Sequence, residues 1–228
     1  MTDAEWLACA DPRPMLEFLR GKVSDRKLRL LAVGCCHRIS HLLTDPRSRT
    51  AVEIAERYAD GAVASTDMER AYCEAVVRAH DALAEWETIE QPNFWQFARA
   101  DAAAAAANSA MPSAIEAALQ CVMAAAGALS DEEGAKAIGN WCSGKLGGPE
   151  SELLRHIIGN PFRPYPAPAA WPGVVIDLAQ ALYDGHANRL ILADALEENG
   201  HQELAQHFRG EEWHMKGCWA MDVILRKE

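Results

Sequence analysis

Apolar residues recur at helical spacing through most of the chain. Leu28, Leu31, Ala32, Cys35, Ile39, Leu42 and Leu43 fall on one stripe, which predicts a core-facing helix opened by Ser24 or Asp25. Met15, Leu16 and Leu19 follow Asp11-Pro12 and stop at Gly21, a shorter helix with a cap and a proline at its start. Thr44-Asp45-Pro46 repeats that arrangement ahead of Val52, Ala55 and Ala59. Thr66-x-x-Glu69, Ser113-x-x-Glu116 and Ser130-x-x-Glu133 have the spacing of capping boxes and predict three further helix starts. The run Ala102 to Ala107 predicts a helix that its neighbours can approach closely. No segment shows the two-residue alternation of a convincing strand, and no repeat of fixed period occurs.

Residues 159–173 break this rhythm, holding five of the 11 prolines. They predict an extended, semi-rigid strap. Four helical segments follow: 172–184 stopped by Gly185, 187–199 stopped by Gly200, 202–209 stopped by Gly210, and 214–226. The expected architecture is all-α: a multi-helix body over residues 1–158, the proline-rich strap 159–173, and a C-terminal helical-hairpin unit over 174–228. Composition agrees, since Ala occurs 42 times against 25 for Val, Ile and Thr together.

Charge adds a hint of a partner. The chain carries 22 Lys and Arg against 33 Asp and Glu, a formal charge of −11, which argues against a generic polyanion binder. Residues 13–57 nevertheless hold ten basic and five acidic side chains, and residues 58–158 hold six and 15. Helical phase expects Arg26, Lys27 and Arg29 to face solvent, and with Arg20, Lys22, Arg47 and Arg49 they form a candidate interaction surface for an acidic protein. Nucleic acid at residues 20–29 is an alternative, weakened by the lack of interleaved aromatics. No run of about 18 apolar residues predicts a membrane span, and the acidic start Met1 to Trp6 lacks the basic character of a signal peptide, so the expected location is cytoplasmic. Seven scattered cysteines suit reduced core thiols.

Several motifs invite chemistry. Gly139 to Lys145 matches the glycine-lysine part of a phosphate-binding loop, but Leu146 stands where Mg²⁺ needs a hydroxyl, and no strand precedes it. Nucleotide binding is therefore not expected. Cys142 lies in the same glycine-rich stretch without an assignable base, so it stays an alternative nucleophile. His37-x-x-x-His41 puts two imidazoles one helical turn apart beside Cys35 and Cys36, without the Glu of a zinc-protease motif. His214-x-x-x-Cys218, with His201 and His207 nearby, is a second candidate cluster without a recognised spacing. Neither pair supplies the three or four donors zinc requires, so the sequence by itself assigns no metal ligand, cofactor or catalytic residue.

The segments Leu178 to Asp184, Arg189 to Gly200 and Glu203 to Arg209 resemble the bacterial repeat-companion domain, with Ala195 standing where its pattern has Trp. The chain as a whole, with Asn160 to Pro164 and Gly217 to Asp222, is similar to a paralogous set of bacterial helical proteins. This resemblance implies a small helical hairpin that accompanies repeats, kinases and other signalling modules. The expected function is a non-enzymatic adaptor or protein-interaction module. The alternative is a metal-dependent regulator or enzyme using the His37/His41 or Cys142 region.

Overall fold

Caps and prolines set the segmentation of this chain. The computed structural model describes residues 1–88, 94–129, 149–211 and 213–227. Among the described residues there are twelve α-helices, one 3-10 turn (Ser40–Leu42) and no strand. Asp11, Ser24 and Asp45 cap the helices Pro12–Leu19, Asp25–Arg38 and Pro46–Ala59 through their side chains, as their positions predict. Two starts differ from expectation. Thr2 and Glu5 form a capping box for an unforeseen first helix, Asp3–Ala8, while Ser65–Glu87 begins after Ala64 with no side-chain cap, one residue ahead of Thr66. The predicted start at Ser130, the Gly139 to Lys145 loop and Cys142 lie outside the described residues.

The chain divides into two compact units, Met1–Arg155 and His156–Glu228. In the first, Asp25–Arg38 is enclosed by Pro46–Ala59 and by the helices Phe94–Ser109 and Ala114–Leu129. Small residues allow this: Ala102, Ala105 and Ala106 are fully buried, and Gly127 approaches Asp101 so closely that a Cβ there would lie 2.3 Å from the carboxylate.

That enclosure overturns the expected exposure of Arg29. The helix is covered on more than one side, so Leu30 and Val33 are buried together with the Leu28, Leu31 and Cys35 stripe. Arg29 is itself 3% exposed and donates from Nη1 to the Ser109 carbonyl (2.9 Å) and from Nη2 to the Pro112 carbonyl (3.2 Å). It thereby satisfies carbonyls where Phe94–Ser109 ends. Burial lowers its pKa, offset in part by Tyr58 and Asp25. Arg29→Met removes both donors and keeps the aliphatic volume. Urea unfolding followed by circular dichroism is expected to show a loss of about 2–4 kcal/mol, as for carbonyls left without partners in a core.

In the second unit, Gly173–Tyr183, Arg189–Glu198 and Gln202–Gly210 follow one another as short helices, and the last helix, Trp219–Leu225, packs on the first of them. Their core is Val175, Ala179, Leu192, Leu196, Leu204 and Phe208, closed by Met221 and Ile224. Trp171 from the proline segment belongs to this same core and Tyr165 packs against it, whereas Phe162 is exposed. The expected helix over 214–226 is shorter than its hydrophobic pattern suggests. Residues 213–218 run as turn and loop, with Gly217 at φ +87°.

Candidate metal centre

Four side chains of the C-terminal unit, His156, His207, His214 and Cys218, bring one nitrogen or sulfur each into a group whose atoms lie within 4.8 Å of one another. His156 sits in the last turn of Pro149–Ile158. Gly159, at φ +76°, turns the chain directly afterwards and lies against Trp219, where a Cβ would meet the indole at 3.0 Å. His207 lies in the last turn of Gln202–Gly210, one position before the core residue Phe208. Cys218 is the N-cap residue of Trp219–Leu225, held by an N–H bond to the Met215 carbonyl across the Gly217 turn. His214 comes from that loop and packs against Phe208 with the rings tilted, centroids 4.8 Å apart.

The geometry is that of a donor cage. His207 Nε2 is 3.1 Å and His214 Nδ1 3.8 Å from Cys218 Sγ, bracketing the edge of about 3.5 Å implied by ordinary zinc–nitrogen and zinc–sulfur bond lengths in a tetrahedron. Cys218 is fully buried and His156 is 3% exposed, yet His156 Nε2 has no hydrogen-bond partner among the described residues. A buried ring nitrogen without a partner is costly, and a cation that takes the place of its proton removes that cost. The three imidazoles stand 5.1–5.5 Å apart by ring centroid, with Trp213 over His156 and Trp219 beside His207.

Glu211, just past the end of Gln202–Gly210, completes the arrangement. One carboxylate oxygen accepts from His156 Nδ1 and the other lies 3.3 Å from His207 Nδ1. With both Nδ1 atoms engaged there, the Nε2 atoms are left for the cage, the tautomer seen in metal sites backed by a carboxylate. The electrostatics match. Burial opposes charge on His156 and His207, but hydrogen bonds and charges from Cys218 and Glu211 outweigh it and raise both to about 9. Burial alone would raise the Cys218 thiol; the three imidazoles around it, His156, His207 and His214, instead hold it well below the ordinary thiol range. Glu211 is held well below the usual carboxylate range by the same two histidines, against its own partial burial.

Sequence spacing found part of this. His207, His214 and Cys218 come together, whereas His201 points elsewhere, bonding the Tyr165 hydroxyl at 2.8 Å and packing at a tilt against Trp171. His156 carried no signal, because it stands 51 residues before His207 with no second ligand near it. His37 and His41 are exposed; His37 meets Glu56 at 3.4 Å, and neither joins a donor cluster among the described residues. Cys35 is a fully buried thiol raised well above its ordinary value by desolvation, which fits packing.

The predicted basic surface is largely engaged within the N-terminal unit. Arg20 pairs with Glu17, Arg26 with Asp60, and Arg47 with Asp45 and Asp81, while Arg49 donates to the Leu43 and Thr44 carbonyls. Lys22 lies over the Phe18 ring at 3.4 Å, and Lys27 also has a partner. Among the described residues no helix is long and apolar enough to cross a membrane. No family model, no curated protein and no solved structure matches this chain.

Proposed function

We propose that this chain is a non-enzymatic helical interaction module whose C-terminal unit is closed by one divalent transition-metal ion, zinc being the ion its donors suit best. The observation that carries this reading is the convergence of three imidazole nitrogens and one thiolate sulfur in a partly buried cage backed by a carboxylate. Four protein donors fill a tetrahedral ion, which favours a structural or regulatory role over a catalytic one that keeps a position open. At Cys218 a nucleophilic role is the weaker reading, because a thiol with 0% exposure cannot meet a substrate without rearrangement. The adaptor part rests on the resemblance to the repeat-companion domain and on Ile176, Leu190 and Ile191, which the hairpin leaves exposed. A protein partner and a cytoplasmic location belong to the same reading. Internal pairing of the arginines argues against nucleic acid.

Metal analysis of the full chain tests it. Protein purified without chelator and dialysed against micromolar zinc is expected to carry one zinc per chain by plasma mass spectrometry. Cys218→Ala and His207→Ala are expected to carry less than a tenth of that. A wild-type chain that emerges without zinc, or variants that keep it, would remove the basis for the reading.

A further inference from the structure

Glu211 is not a donor of the cage, yet it touches two of the four residues that are. Its two oxygens face Nδ1 of His156 and of His207, residues 51 apart in sequence that reach the site from different helices. A neutral imidazole whose Nδ1–H is held by an acceptor presents Nε2 as a lone pair once the Nε2 proton leaves, so one carboxylate orients two rings at once. It also completes the charge. A divalent ion with the Cys218 thiolate leaves one positive charge in a partly buried cage, and the Glu211 carboxylate cancels it. A monovalent ion would leave the same set with one excess negative charge.

Resting on the metal reading above, we propose that Glu211 is the positioning and selectivity residue of this centre: it holds His156 and His207 with Nε2 toward the metal and favours a divalent over a monovalent cation. Glu211→Gln keeps the shape of the side chain but has one accepting oxygen in place of two and no charge. One ring then loses its acceptor, and the electrostatic loss is about twice as large for a doubly charged ion as for a singly charged one.

Competition titrations measure this with zinc and copper(I) on the full chain. Glu211→Gln is expected to weaken zinc binding about 10–100-fold, as losses of such outer partners do, and to weaken copper(I) binding by a smaller factor, shifting the preference toward copper(I). A residue that merely supported the fold would lower both alike. Long-range proton–nitrogen spectra of the zinc-loaded wild type supply a second readout that needs no variant: His156 and His207 are expected to show protonated Nδ1 and metal-bound Nε2. Equal losses for the two ions, unchanged zinc affinity in Glu211→Gln, or metal on Nδ1 of either histidine would overturn the role of Glu211 while leaving the metal centre standing. Failure of the wild type to bind either ion would instead remove the centre itself.

Discussion

Stripping the metal is expected to lower the melting temperature of the C-terminal unit by on the order of 15–30 °C. The ion would tie His156, at the start of that unit, to His207, His214 and Cys218 near its end, closing the intervening strap and helices into one loop. A ligand that binds only the folded state stabilises it by about 4 kcal/mol at a thousandfold excess over its dissociation constant. Each kcal/mol moves the melting temperature of a domain this small by about 4–8 °C. The core that remains without metal is modest: Phe208, Leu192, Leu196 and Leu204 are its largest fully buried side chains apart from the rings around the cage. Scanning calorimetry with and without EDTA checks this. Cys218→Ala is expected to ignore EDTA and to melt no higher than the chelated wild type, since it also removes the sulfur that His156 and His207 face without metal. A wild-type profile that EDTA does not move would show that the imidazole and thiolate groups stabilise the unit without an ion.

The fold was legible because its signals are local. Asp11, Ser24 and Asp45 cap where they stand in sequence, and the stripe Leu28, Leu31, Ala32 and Cys35 is buried as its spacing requires. Local signals failed where neighbours decide. The phase of Arg29 points it outward on an isolated helix, but a second layer of alanine-rich helices covers that face and supplies the Ser109 and Pro112 carbonyls. The centre was half legible for the same reason. His214-x-x-x-Cys218 reads as one turn of helix, and the hydrophobic pattern of 219–225 invites its extension backwards. Gly217 in a left-handed conformation breaks that extension, so the pair sits on a loop that can wrap an ion. His156 and Glu211 could be found only from the fold, since nothing in the spacing of a ligand 51 residues away or of one glutamate of the Glu211-Glu212 pair marks either one.

Zinc binding is expected to strengthen steeply with pH, releasing about two protons per ion near neutrality. In the metal-free chain His156 and His207 are protonated up to about 9, because Cys218 and Glu211 favour their charged forms more than burial disfavours them. Each must lose its Nε2 proton to coordinate, whereas the Cys218 thiol is held well below its ordinary value by the imidazoles around it. Two protons exchanged for one ion make the apparent affinity rise by about a hundredfold per pH unit, or on the order of 10⁴-fold from pH 6 to pH 8. The sign of the metal-free contribution is opposite. A histidine raised above its unfolded value stabilises the fold fully below about 6.5 and loses that contribution as pH climbs through about 9. The gap in melting temperature between zinc-loaded and chelated protein should therefore widen from pH 6 to pH 8. Titration calorimetry in two buffers of different ionisation enthalpy gives the proton count directly. A count near zero at pH 7, or an affinity that does not change with pH, would mean that the two imidazoles are already neutral and that Glu211 and Cys218 do not hold protons on them.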